Sequence, residues 1–328
     1  MSEFKLPGEY TKDVVTRATG ETDLSYGCSP HNRSLPQLLN YGLIILDKPA
    51  NPTSHEVAAW VRQILECKKA GHGGTLDPAV TGVLPISLNR ATRAVSVLLR
   101  AGKEYICILR LHDSVDEARV RKTVNKFLGS IFQRPPIKSS VKRVLRVRKI
   151  YYLECLEVIE NRVLLRVGCE AGTYIRKLCY DIGVVLGVSG QMDELRRTKS
   201  GIFEESESVR LQDLLDAKLE YDETGKEEAL RKLIRPFEDL FINYPKIIIR
   251  DLAVNALCYG AKLAVPGVLK LSKGIKKGTP VVVMSQKGEA VALATALKTT
   301  KSILESSSGL CAKIDSVFMP KDVYPKSW

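Results

Sequence analysis

Apolar positions along this chain fall into two regimes. Up to about residue 245, strand-like runs alternate with segments of helical period; beyond it, short strands prevail. Residues 42–47, Gly-Leu-Ile-Ile-Leu-Asp, predict a strand closed by Lys48-Pro49. Thr53 and Glu56 have the spacing of a capping box, and the helix they open puts Val57, Val61, Ile64 and Leu65 on one face. Residues 83–88 predict a strand, 93–99 a short helix and 102–110 a strand with Tyr105 near its start. Residues 116–128 predict a helix with Val120, Val124 and Phe127 inward, stopped by Gly129. Residues 163–169 predict a strand, and a helix begins at Tyr174 with Ile175, Leu178, Ile182 and Val185 on one face. The acidic stretch 204–228 predicts a solvated helix and turn. After Pro236 and Pro245 come a strand at 247–249, a helix at 254–259 ended by Gly260, and a hairpin of 281–284 with 290–297. Residues 1–36 are polar and aperiodic, which predicts a surface or partly disordered extension.

One stretch fits neither period. His72 to Pro85 contains Gly73, Gly74, Gly82, Pro78 and Pro85, which exclude both a plain helix and a central strand. It is expected to be a shaped loop. Pro78 restricts Asp77 and fixes how its carboxylate is presented. Such a carboxylate suits a nucleophile or base; taken alone, Asp-Pro also commonly closes a turn or caps a helix.

Charge narrows the field. The net charge of +13 and pI near 9.3 favour a polyanionic partner, nucleic acid before an acidic membrane. The densest basic run, Lys138, Lys142, Arg143, Arg146, Arg148 and Lys149, follows Pro135-Pro136 and suits either a solvated strand face or a clamp on phosphates. The eight cysteines are scattered without a CxxC pair and read as reduced thiols of a cytosolic or nuclear protein. The first thirty residues hold no apolar signal-peptide core, and no apolar run reaches membrane-spanning length.

The central stretch closely resembles the GGTLDP-x-x-TG-x-L motif of TruB-type pseudouridine synthases. Other family strings follow in order: Lys48-Pro49, Lys103-Glu104-Tyr105, the PPIKSSVKR of 135–143, the GTYIRKL of 172–178 and the residues of 191–201. Residues 251–297 resemble a PUA domain, and the whole is most like the dyskerin-type branch. The resemblance implies an α+β fold: an extension (1–36), a catalytic domain on a mixed, largely antiparallel sheet (37–245) and a C-terminal PUA β-barrel (246–328). It makes Asp77 the catalytic carboxylate, Arg176 its partner and Tyr105 the ring that stacks on the base. Lys48 supports the loop, Leu195 walls the uridine pocket, and His72 either fills the gap left by the flipped base or stabilises the loop. Lys138, Lys142 and Arg143 grip substrate RNA, and Lys262 belongs to the RNA-binding barrel. The implied reaction is guide-directed conversion of uridine to pseudouridine, without metal or other cofactor. The implied partners are a box H/ACA guide RNA, target RNA with rRNA foremost, and three small core proteins, in the nucleus and nucleolus and away from membranes. A non-catalytic ribonucleoprotein scaffold and a stand-alone tRNA synthase are the alternative readings.

Overall fold

The computed structural model describes residues 6, 13–135 and 142–326. Among them two sheets are built. The larger has ten strands. Its path runs Arg235–Pro236, Gly42–Lys48, Thr81–Leu88, Gly190–Ser200, Lys103–Leu111, Arg162–Cys169, Arg146–Ile159 and Gly129–Gln133. Ala70–His72 pairs onto Thr81–Leu88, and Phe203–Glu204 onto Gly190–Ser200. Pairing is antiparallel except where Thr81 and Gly82 run parallel to Arg196 and Arg197. The helix Ile175–Leu186 buries Ile175, Leu178, Cys179, Ile182 and Leu186 against this sheet, sharing its core with Cys107, Leu109, Leu165 and Val167. On another part of the sheet Ser54–Ile64 seats Val57 and Val61 against Ile44, Leu84 and Ile86.

The second sheet has seven strands, in the order Val14–Thr16, Val268–Ser272, Lys246–Ile249, Pro280–Met284, Ala290–Ala296, Leu310–Val317 and Leu263–Ala264. A mixed core joins the two sheets: Leu43, Ile45, Val83 and Phe203 from the first meet Val282, Met284, Ala290 and Leu293 from the second. Phe237, Phe241 and Phe318 fill the gap edge to face or tilted.

Several expectations need correction. The sequence gives 72–85 to a loop, excludes a central strand there, and starts the next strand at 83, yet Thr81–Leu88 is an internal strand with Pro85 inside it. The Pro85 carbonyl accepts from Gly73 N at 2.8 Å, so its missing amide faces the loop and the pairing with Ile45 loses no bond. Val185 is exposed and Leu186 takes the buried position, because the helix face advances by four residues at its last turn. The helix expected over 116–128 stops at Asn125, with Asp116 as its cap, although Phe127 still packs on the core. Residues 14–16 of the expected surface extension form an edge strand, Val15 opposite Leu271.

Candidate functional site

The Asp77 loop is held by its own backbone carbonyls. Lys48 is fully buried, and its ammonium donates to the carbonyls of Pro49, Pro78 and Val80 at 2.8, 2.9 and 2.9 Å. Burial, with the Arg197 charge second, holds its pKa below the usual lysine range. Ser54, at the start of the capped helix, accepts from Leu76 N at 2.8 Å and fixes the residue before Asp77. Gly82 has φ +104°, and a Cβ there would lie 2.2 Å from the Arg197 carbonyl oxygen. Only glycine lets the end of the loop pass so near the neighbouring strand.

Arg176 donates from Nη2 to Asp77 Oδ2, and the two side chains are 51% and 54% exposed. The helix carrying Arg176 begins at a fixed point: the side chain of Gln133, 1% exposed, bonds both the amide and the carbonyl of Tyr174. A charge-assisted bond from a guanidinium sets the direction of the Asp77 side chain. Tyr105 is buried in the core just inside the site, and burial raises the pKa of its hydroxyl. Leu195 packs half-buried on the same core, paired with Cys107. The site thus offers a carboxyl group at the surface, aimed by an arginine, with a buried tyrosine in the core below the loop.

His72 ends the strand Ala70–His72, half-buried, with Nε2 3.4 Å from His55 Nδ1 and its own Nδ1 without a hydrogen-bond partner. Burial, then the charges of His55 and Arg197, lower its pKa to about 4. Lys142 and Arg143 are exposed just before the strand Arg146–Ile159, with Arg143 Nε reaching the Pro135 carbonyl at 3.2 Å. Lys138 lies outside the described residues. Lys262 is exposed on the second sheet's side of the molecule, far along the chain from the Asp77 loop. A groove of about 890 Å³ opens beside Arg176, lined by Phe127, Ile131, Arg143, Lys177 and Tyr180 among others.

Sequence reasoning missed the buried charges behind the loop. Arg197 is 1% exposed and donates to the carbonyls of Val83 and Gly74 at 2.7 and 3.1 Å. Lys103 donates to those of Leu98 and Ala101, both at 2.7 Å, and burial pushes its pKa down to about 7. Glu104 accepts from Tyr152, Thr198 and Arg166 at 2.6, 2.8 and 2.8 Å. Gly168 leaves room for the Tyr152 ring, which a Cβ would meet at 2.1 Å. Gly82 and Gly168 were the available signal, since each marks a place where another group comes close. Among the described residues no group of His, Cys, Asp or Glu is placed to hold a metal ion, and no helix is long and apolar enough to cross a membrane.

The site joins a fixed carboxylate, an arginine and a buried tyrosine on one face of a mixed sheet. Residues 62–175 match the N-terminal domain of TruB family pseudouridylate synthase and 176–241 the tRNA pseudouridylate synthase B C-terminal domain. Residues 2–58 match a DKCLD domain and 245–318 a PUA domain. The chain is 50% identical over 324 residues to a Methanopyrus kandleri protein named probable tRNA pseudouridine synthase B, covering 99% of this chain and 96% of that one. A Thermococcus kodakarensis protein of the same name is 51% identical, with 98% and 96% covered. A chain of a Cbf5-Nop10-Gar1 complex superposes with TM-score 0.92 at 48% identity, covering 98% of this chain and 99% of that one. A chain of an H/ACA RNP bound to a substrate RNA containing 2'-deoxyuridine gives TM-score 0.92 at 46% identity, covering 99% and 100%. The chain belongs to the TruB family of pseudouridine synthases, with a PUA domain at its C-terminal end.

Proposed function

We propose that this chain is the catalytic subunit of a box H/ACA guide-RNA-dependent ribonucleoprotein that converts uridine to pseudouridine in RNA. The observation that carries the reading is the Asp77–Arg176 pair on a loop pinned through its carbonyls, with buried Tyr105 in the same core as Leu76. The end-to-end likeness to chains of H/ACA complexes supports the guided form. The target base leaves its stack at a cost of a few kcal/mol. Asp77 opens the glycosidic bond, either by attack on the sugar carbon or by removing a sugar proton. The freed uracil turns and rebonds through carbon, and Tyr105 stacks on it and assists loss of the C5 proton. Arg176 keeps Asp77 aimed throughout. Lys142, Arg143 and Lys262 are assigned to RNA phosphates, and rRNA and three small core proteins to its partners.

Asp77→Asn tests the chemistry. Isomerisation is expected to vanish while RNA affinity changes by less than about tenfold, roughly 1.4 kcal/mol. Near-wild-type turnover would refute the assignment. The relatives' name favours a second reading, a tRNA synthase that needs no guide. Assays of bare protein on a tRNA transcript, beside guide RNA with target and small core proteins, separate the two. The guided reading fails if bare protein modifies every substrate at full rate.

A further inference from the structure

Two adjacent arginines on the strand Gly190–Ser200 have opposite surroundings. Arg196 meets Asp47 and Glu205, as a partly exposed arginine commonly does. Arg197 points to the other face, is 1% exposed, and has no described carboxylate paired with it. Its bonds go to two carbonyls, Gly74 before Asp77 and Val83 after it. It also stands opposite Tyr105 in the register of the neighbouring strand.

Burying a charge without a counter-ion is unfavourable, and an apolar side chain of similar size often serves a core as well or better. Packing alone therefore gives no reason for an arginine here. The property an apolar residue lacks is the rigid, permanently charged fork, which holds two acceptors at a fixed separation. A lysine offers one point charge and cannot fix both. The contact is made possible by Gly82, where any side chain would strike the Arg197 backbone. Lys48 holds the middle of the same loop at Pro78 and Val80, so the flanks are the part left for Arg197.

We propose that Arg197 is a positioning residue for the isomerisation: by bridging Gly74 and Val83 from the strand position opposite Tyr105, it sets the distance between the Asp77 carboxylate and the ring that holds the base. The inference rests on the reading of Asp77 as the reacting group. Arg197 is buried and acts through Asp77 and Tyr105.

The test uses the full chain assembled with guide RNA and small core proteins. Single-turnover rates at saturating target, target affinity and thermal midpoint are measured for wild type, Arg197→Met and Arg197→Lys. Arg197→Met should lower the rate per folded molecule about a hundredfold, as expected for a shift of about 1 Å at the reacting group, with affinity within about threefold. Arg197→Lys, which keeps the charge and one carbonyl, should recover part of the loss and sit about tenfold below wild type. A purely structural role predicts instead a rate that follows the folded fraction, with full activity in the molecules that fold. The proposal is overturned if Arg197→Met keeps a rate within about threefold of wild type, or if affinity falls in step with the rate. Should Arg197→Met not fold, Arg197→Lys decides alone, and a rate equal to wild type overturns the proposal. A wild-type complex that makes no pseudouridine indicts the functional reading, not this inference.

Discussion

The two sheets bury charges of opposite sign. Behind the Asp77 loop the first sheet buries Lys48, Lys103 and Arg197, each bonded to backbone carbonyls. The second buries Asp251 and Glu289, which accept from donors on other segments. Asp251 takes Thr22 Oγ1 and Asp23 N at 2.9 and 3.0 Å. Glu289 takes Cys28 N and Tyr324 Oη at 3.2 and 2.6 Å. At the junction Glu238 takes both terminal nitrogens of Arg33, at 2.8 and 2.7 Å. The chemistry follows the backbone. A loop rich in glycine and proline folds back on itself, as a helix end does at Leu98 and Ala101, and turns carbonyls inward, each with lone-pair capacity that a buried cation can take up. A remote segment laid along a finished sheet brings unpaired N–H groups, and carboxylates take those. The cations shape a site; the acids tether residues 22–33. Glu104 is the exception in the first sheet, a buried acid that joins three strands through Tyr152, Thr198 and Arg166.

This difference predicts where damage shows. The largest effect is expected for Lys48→Met, which leaves the carbonyls of Pro49 and Val80 without their donor, while that of Pro78 keeps Asn51 N at 2.9 Å. Orphaned buried acceptors cost about 1–3 kcal/mol each, less where the loop relaxes, so a loss of about 3 kcal/mol in chemical denaturation is expected. The released loop should also lower the single-turnover rate by more than about a hundredfold. A Lys48→Met protein with a normal rate per folded molecule would show that the carbonyl clamp does not place Asp77.

Glu289→Gln is expected to do less, and to do it elsewhere. The amide keeps one acceptor for Cys28 N, Ser285 or Tyr324 and loses the charge-assisted bonds. About 1–2 kcal/mol of stability should go, with faster amide exchange over residues 22–28 and an unchanged rate per folded molecule. A fall in that rate would mean that the two buried-charge systems are coupled through the Phe237–Phe241–Phe318 core.

The same contrast explains what the sequence could and could not reveal. Gly42–Lys48 and the hairpin Pro280–Met284 with Ala290–Ala296 are legible because their apolar runs are backed by core on both faces. Asp77, Tyr105 and Arg176 were found by motif likeness, and the structure brings Asp77 and Arg176 into contact from positions far apart in the chain. The strand Gly190–Ser200 was not foreseen as a strand at all. Its run of Asp193, Glu194, Arg196, Arg197 and Lys199 reads as solvent-facing, yet it lies between Thr81–Leu88 and Lys103–Leu111. Arg197 was invisible for the same reason: its partners are carbonyls, which no side-chain pattern records. Val14–Thr16 is too short to show a period, and its pairing with Val268–Ser272 is a tertiary fact.

The smallest effect is expected at His72, which belongs to neither system. Its buried Nδ1 has no hydrogen-bond partner, and a charged ring would face Arg197. The sign follows from linkage. The unfolded chain takes up a proton near the ordinary value of 6.5, whereas the folded chain does so only near 4. Between these values the unfolded state binds more protons, so stability falls as the pH drops through that window. Allowing for the partial exposure of the ring, wild type should lose about 1 kcal/mol more than His72→Gln between about pH 7.5 and 5. Thermal midpoints of the two proteins at both pH values measure this directly. Parallel losses in the two would mean that the ring is solvated enough to titrate normally. His72→Gln also separates the two roles open to this residue. A loop-stabilising histidine predicts the pH effect with an unchanged neutral-pH rate, whereas a histidine that fills the gap left by a flipped base predicts weaker binding of target RNA at every pH.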